Sequence, residues 1–364
     1  RDFCLSRGLG DVYKRQPLYN IMESYGLHAI VVNPAHMKAV PGRKTDVKDA
    51  EWIAELLQHG LLQPSYIPSK DQRELRELVQ YRKSLVGERT RELNRLQKML
   101  EGANIKLSGT VTNINGKSAR KILEYILSGN EIDEKKYDEM YEEKLIAHNL
   151  KASKEQILDD LKGFMSPLQR RMLKELLQHL DELNVHIENL NDEIDNFMKP
   201  EEKQASQVIQ DVTGIGNTSA QTIIAVIGTD MERFPSDRHI SSWAGLCPGD
   251  NVSAKKRKSG KIRKGNALLK STLVLCAHAA VRHKSSYFHA QFKRISTHRG
   301  KKRAYVAVAH SILIAIYHIL KDGVKYQDLG AEYYNQFNAE RKIHAYLKKL
   351  KALGWEPPKE AVPA

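Results

Sequence analysis

Two groups of residues in this sequence have the types and spacing to do chemistry. The first is a pair of aspartates, Asp46 and Asp49, in GRKTDVKDAEWIAELLQHG (42–60), beside Arg43, Lys44 and Lys48. On a helix, positions three apart share a face. Continuing that face reaches Ile53 and then Leu56 or Leu57, so the carboxylates prolong an apolar stripe. Two anions held together away from water need a compensating cation. A divalent ion such as Mg²⁺, which takes carboxylate and phosphate oxygens, would supply it. The plainer reading is a helix start in which Asp46 caps and Asp49 complements the dipole. A lone Asp-x-x-Asp does not choose between them.

The second group is GLCPGDNVSAKKRKSGKIRKGN (245–266), where seven of the ten residues from Lys255 to Lys264 are basic: Lys255, Lys256, Arg257, Lys258, Lys261, Arg263 and Lys264. Gly260 and Gly265 argue against a regular helix, so a flexible cationic loop is expected, suited to tracking a phosphate backbone. A charge run is ordinarily a solvated face or a disordered tail. This one lies inside a domain, between apolar elements. Two hydroxyls, Ser253 and Ser259, sit within it. A serine among cations can attack a phosphodiester, because the positive field stabilises both alkoxide and pentacovalent charge. It can equally be a spacer. Ahead of this segment, Gly214 and Gly216 flank Ile215 between two apolar helical stretches. Such a turn either offers backbone N–H groups to a phosphate or is a plain corner needing glycine.

Composition bounds the partners. The chain has 364 residues, with Lys+Arg 58 against Asp+Glu 44 and a formal charge of +14. That excess predicts an anionic partner, nucleic acid before a membrane surface. Cys4, Cys247 and Cys276 are too few and scattered for a disulfide framework or a zinc site, and fit a reducing cytoplasm. The longest apolar run, AYVAVAHSILIAIYHIL (304–320), is short of the ~20 residues of a membrane span and reads as a buried helix. His310 within it reads as a satisfied core histidine. No membrane association is expected.

The elements that must position these residues follow from periodicity. Segment 1–16 shows neither strand alternation nor a helical stripe and reads as a truncation or junction. PLYNIMESYG is then a short helix ending at Gly26, and HAIVVNP (28–34) a buried strand, the remnant of an α/β domain over 17–66. From Asp71 to Leu107 a charged helix carries Leu75, Leu78, Leu85, Leu93, Leu96 and Leu100. After a mixed segment, Leu173, Leu176, Leu180, Leu183, Ile187, Leu190, Ile194 and Phe197 alternate steps of three and four, a coiled-coil seam that ends at Pro200. Over 67–204 this predicts long helices with a small insert, as an antiparallel hairpin or a dimerising arm. A second globular domain spans 205–325, with helices over roughly 265–283 and 303–321. Further basic groups from Arg282 to Arg303 prolong its cationic surface. A polar tail, frayed at its end, closes the chain over 326–364.

At this point three stretches carry a family resemblance. VVNPAHMKAVPGRKTDVKDAEWIAELLQHGLL, DVTGIGNTSAQTIIAVIG and SSWAGLCPGDNVSAKKRKSGKIRKGNALLK, in that order, resemble insertion-sequence transposases of the IS-one-ten type, in their IS-eleven-eleven branch. The resemblance covers about residues 17–325. It implies a mostly α chain with an α/β part: a RuvC-like domain with an RNase-H fold and an Asp-Glu-Asp-Asp metal site, then a helical C-terminal transposase domain. The family's Lys-Thr-Asp-x-x-Asp-Ala motif falls on Lys44, Thr45, Asp46, Asp49 and Ala50. Its DNA-attacking serine falls on Ser253, with Ser259 the fallback. Its first strand, with the first Asp, has no counterpart before Pro17, and its Glu position falls near Leu9. The resemblance further implies a bridge RNA that pairs with donor and target DNA, and a homo-oligomer, dimer or tetramer, in the prokaryotic cytoplasm. Two other functions remain open: a non-catalytic coiled-coil nucleic-acid-binding protein, such as a decayed transposase, and a RuvC-like nuclease using metal-activated water.

Overall fold

The computed structural model describes residues 10–27, 29–32, 46–62, 66–130, 132–146, 152–248, 251–253, 256–259, 262 and 264–355. These fall into two compact units, divided after Lys70.

In the first unit, helix α1 spans Gly10–Ser24 with Pro17 inside it, starting earlier than its sequence predicts. Helix α2 spans Asp46–Gln58. Both end the same way, with a glycine in the left-handed region: Gly26 at φ 69° and Gly60 at φ 65°. Behind each, a backbone N–H reaches back over the turn, Leu27 N–H to Met22 O at 2.9 Å and Leu61 N–H to Leu56 O at 2.9 Å. This satisfies carbonyls that the helix leaves open.

The strand expected over 28–34 is not regular in its described part. Residues Ala29–Val32 carry only an isolated bridge at Val32, and Ile30 is 45% exposed. A strand is satisfied only by a neighbour, and among the described residues of this unit no regular strand offers one. The apolar stripe of α2 also departs from expectation. Leu56 is buried, whereas Ile53 and Leu57 are 39% and 51% exposed.

The second unit is built on two long helices, α3 (Lys70–Gly102) and α8 (Pro167–Phe197). They run antiparallel within the one chain: Arg82 Nη1 donates to Asn191 Oδ1 at 2.9 Å and Arg89 Nη1 to Asn184 Oδ1 at 3.2 Å. Ser166 starts α8 with a reciprocal cap, its Oγ accepting from Gln169 N–H while Gln169 Oε1 accepts from Ser166 N–H. The buried seam of α8 is Leu173, Leu177, Leu180, Leu183, Ile187, Leu190 and Ile194, continued by Met198. Leu177 thus replaces the expected Leu176, and Met198 replaces the exposed Phe197. The stripe takes steps of four at both ends because a helix turns every 3.6 residues, and a strict 3.5 repeat drifts off the buried face.

Between α3 and α8 the described residues form four short helices: α4 (Leu107–Thr110), α5 (Lys117–Leu127), α6 (Glu134–Glu142) and α7 (Lys154–Asp160). They pack with Leu96, Leu100, Leu173 and Leu180 into a distal core. The near ends of α3 and α8 join a separate proximal core with residues from Ile209 to Ile319.

That proximal lobe holds α9 (Pro200–Ile209), α10 (Asn217–Ile227), α11 (Asp237–Trp243), strands β1 (Asn251–Ser253) and β2 (Lys256–Ser259), then α12 (Ala267–Ala280), α13 (Tyr287–Arg299), α14 (Lys301–Asp322) and α15 (Gly330–Ala352). Helix α14 is long and apolar enough to cross a membrane by length and composition, yet Val308, Ile312, Leu313 and Ile316 along it lie in the core. Helices α13 and α15 were not expected. The segment read as a polar tail is helical to Ala352 and packs on α13, with Tyr334 edge-on to Tyr287 at 4.9 Å and Arg294 over the Tyr334 ring at 5.9 Å.

Candidate nucleic-acid interface

The basic segment is not a loop. Its described residues form an antiparallel hairpin in which Asn251 pairs with Ser259, Val252 with Arg257 and Ser253 with Lys256, with a bulge after Asn251. Ser253 therefore ends β1 at the closed end of the hairpin, and Ser259 lies at the open end. An isolated bridge between Pro248 and Ile262 extends the pairing toward the base.

Both feet of the hairpin are pinned. On the entry side, α11 closes with Gly245 at φ 72° and Leu246 N–H bonded to Ser241 O at 3.1 Å. On the exit side, Gly265 lies flat on that turn. A Cβ there would meet the carbonyl carbon of Ala244 at 2.4 Å and the nitrogen of Gly245 at 2.4 Å. Next to it Asn266 caps α12, its Oδ1 accepting from Leu269 N–H at 3.0 Å. The glycine expected only to break a helix is thus the point where two backbones touch.

Gly214 and Gly216 separate into different roles. Gly214, at φ 94°, packs against α12, where a Cβ would meet Cys276 O at 2.5 Å and Ala280 N at 2.6 Å. This supports the corner reading at that position. Gly216 precedes α10, is exposed, and has no atom near its would-be Cβ. It leaves the start of α10 open to solvent.

Helix α10 is joined to the long helices by a buried arginine. Arg82 on α3 is 2% exposed. It donates to Gln221 Oε1 at 2.5 Å, Thr218 O at 3.0 Å and Thr222 Oγ1 at 3.3 Å on α10, besides Asn191 on α8. Gln221 in turn donates to Asp195 Oδ1 at 2.8 Å. Burial pushes the Arg82 guanidinium down to about 10, partly opposed by Asp195. Lower on the same helix, Arg76 donates to Ala225 O at 3.0 Å and Val226 O at 2.5 Å. These bonds satisfy carbonyls at the end of α10.

Of the predicted cations, Lys264 is exposed. Lys256, Arg257 and Lys258 lie on β2, while Lys255, Lys261 and Arg263 lie outside the described residues. Sequence reading missed two contributions. Lys83, from α3, donates to Ser271 Oγ on α12 at 2.5 Å, and its pKa is lowered by partial burial. The exposed His278 stacks on Tyr305 at 3.5 Å, with Phe292 4.5 Å from the same ring. The one available signal was the position of Ser271 and His278 on the helix directly after the basic run. His310 is half-buried, and its pKa is lowered by burial, with Asp237 opposing. Neither Cys247 nor Cys276 is in a disulfide, and burial raises the pKa of Cys276.

Asp46 opens α2 and Asp49 is its fourth residue. Their side chains lie outside the described set. Two carboxylates so spaced are hard oxygen donors of the kind a divalent cation accepts. Among the described residues no group of three or more His, Cys, Asp or Glu forms a metal cluster.

A chain that presents a hairpin with three basic residues on one strand, held at its feet by packed helices, suits contact with a phosphate backbone. The comparisons define it as a DNA transposase. Residues 11–105 match the DEDD transposase model of IS110 elements, and residues 206–293 match the model described as "Transposase IS116/IS110/IS902 family". The chain belongs to the IS110 family of transposases. It is 24% identical over 297 residues to the "Transposase for insertion sequence element IS1111A" of Coxiella burnetii, covering 80% of this chain and 71% of that one. It is 23% identical over 324 residues to y4rJ of Sinorhizobium fredii, covering 84% and 74%. Over 135 residues it is 27% identical to the "Insertion element IS110 uncharacterized 43.6 kDa protein" of Streptomyces coelicolor, covering 35% and 31%.

Proposed function

We propose that this transposase breaks and rejoins DNA through the hydroxyl of Ser253. The observation that supports this reading is the hairpin. Ser253 ends β1 opposite Lys256, at the closed end of a cationic ribbon whose feet are fixed by Gly265 and the Gly245 turn. Ser259 is paired at the open end, which favours Ser253. In the step, Ser253 Oγ loses its proton and bonds to a DNA phosphorus as the bond from phosphorus to the departing strand end breaks. The departing oxygen takes up a proton. The resulting phosphoserine ester is then attacked by another strand-end hydroxyl, which restores the phosphodiester and frees the serine. Lysines and arginines of the 255–264 run hold the backbone and offset the charge that builds on the pentacovalent phosphate.

Asp46 and Asp49 would hold a divalent metal, Mg²⁺ by ligand chemistry. When bound, such an ion polarises phosphate oxygens near the scissile bond. The family likeness favours a RuvC-like domain for the first unit, guidance by a bridge RNA and a homo-oligomer in the cytoplasm.

The test is covalent trapping of labelled DNA by the purified protein with donor DNA, target DNA and RNA present. Ser253→Ala is expected to abolish the protein–DNA adduct while DNA binding stays within about twofold of wild type. An adduct that persists in Ser253→Ala and disappears in Ser259→Ala moves the nucleophile. Strand cleavage with no adduct in either form overturns the serine mechanism in favour of metal-activated water.

A further inference from the structure

Well along the paired helices from the hairpin, the distal lobe carries a cleft of about 450 Å³. Its lining includes Lys117, Arg120 and Lys121 on α5, Lys144 after α6, and Asp181 and Asn184 on α8. We propose that this cleft is a second binding site for the phosphate backbone of a nucleic acid, separate from the hairpin 251–259.

Charge is the first argument. Four cations line the cleft against a single carboxylate, Asp181. That carboxylate is already matched, because Arg120 Nη2 donates to Asp181 Oδ1 at 2.6 Å and Arg120 Nε to Asn115 Oδ1 at 2.6 Å. Arg120 also reaches Leu177 O at 3.4 Å, so it serves as a fixed wall joining α5 to α8. Lys117, Lys121 and Lys144 remain to act on a ligand. Lys121 pairs with Glu124 at 2.8 Å, but both side chains are well exposed. An exposed pair of this kind contributes little and yields easily to a phosphate.

Backbone conformation is the second argument. Lys144 closes α6 at φ 56°, one of the two non-glycine residues with positive φ among the described residues. Its N–H bonds Tyr141 O at 3.1 Å and the next N–H, of Leu145, bonds Met140 O at 3.0 Å. Glycine is the residue such a helix end favours, and a lysine there carries a conformational cost. A costly residue lining a cationic cleft points to use of its side chain.

The lining also decides what part of a nucleic acid would fit. Leu145 is its one apolar residue, so there is no platform for stacking a base, and phosphate contact is the chemistry on offer. Asp181 precedes Asn191, the partner of Arg82, by about ten residues, roughly 15 Å at the rise of an α-helix. A backbone with a charge every few ångströms can span that interval and reach the proximal lobe.

The experiment measures binding of a fluorescent duplex DNA and of a fluorescent RNA hairpin by the full chain, across a salt series without divalent metal. Lys117→Ala/Lys144→Ala is expected to weaken binding roughly tenfold at fixed salt and to flatten the log Kd against log salt slope by about 2. Lys117→Arg/Lys144→Arg is expected to retain both. Both lysines are exposed, so the melting curve should stay within error of wild type. Loss with both probes supports a backbone site, and loss with only one assigns it to that nucleic acid. Unchanged affinity and slope with both probes overturns the proposal, as does equal loss in the arginine variant. The readout is binding alone, so its outcome is independent of Ser253.

Discussion

In α2, which carries Asp46 and Asp49, Leu56 is the one apolar side chain buried among the described residues, while Ile53 and Leu57 are 39% and 51% exposed. In α10, which packs in the proximal core, Ala220 and every residue from Ile223 to Ile227 is buried. The two candidate halves of the chemistry therefore stand on different supports. The serine half rises from a packed core in which backbones touch through Gly214 and Gly265 and a buried guanidinium ties three helices together. The aspartate half is positioned by helix formation itself, with a cap-like glycine turn behind it. A catalytic group is held as tightly as the shell around it, so the proximal lobe carries the stricter geometry. The first unit depends on local rules.

The glycines offer the largest effect with which to test that contrast. Gly214→Ala and Gly265→Ala each drive a Cβ into backbone at 2.4–2.6 Å. They are expected to cost more than about 4 kcal/mol or to prevent folding. Gly60→Ala in the first unit meets nothing within 4 Å, and should cost only the left-handed penalty of about 1 kcal/mol. Chemical denaturation of the three variants compares them directly. Equal losses in both units would break the distinction.

Arg82 comes next. Arg82→Leu leaves Gln221, Thr218 O and Asn191 without their donor in a buried site. Removing one partner of a buried charged network costs roughly 3–5 kcal/mol. Because the network joins α3 to α10, hydrogen exchange should rise at both helices together. A rise confined to α3 would show that the guanidinium does not couple them.

The smallest effect is a pH dependence. Burial lowers the folded pKa of His310 below its ordinary 6.5. Unfolded chains then bind more protons than folded ones just below pH 6.5, so stability is full above that value and falls as pH drops through the folded pKa. His310→Gln should flatten this limb of a plot of melting temperature against pH. A limb unchanged in the variant would assign it to other groups.

Much of this could be read from local pattern, and the failures have a common cause. The cationic run, the helix begun by Asp46 and the apolar face of α14 depend on composition and on spacing along one element, and the folded chain retains them. The hairpin is hidden in the sequence because pairing of Asn251 with Ser259 is a cross-strand contact that a row of lysines does not signal. Helix α15 reads as a tail in sequence because its ring contacts are with α13, beyond the reach of local pattern. AIVV (29–32) has the residue types of a strand, yet among the described residues it carries only the bridge at Val32, because residue type does not fix which neighbour a strand pairs with.

By itself the sequence determined the charge, the two long helices with their repeating leucines, and the two hydroxyls among the lysines, since all of these follow from residues that are near neighbours. Only the tertiary structure decided that Arg82 is buried, that Leu177 displaces Leu176 in the seam, that Gly214 and Gly265 are contact points, and that Ser253 ends a strand at the closed end of a ribbon. Each of those depends on surfaces brought together from distant parts of the chain, where shape and unsatisfied hydrogen bonds select the partner and periodicity carries no information about it.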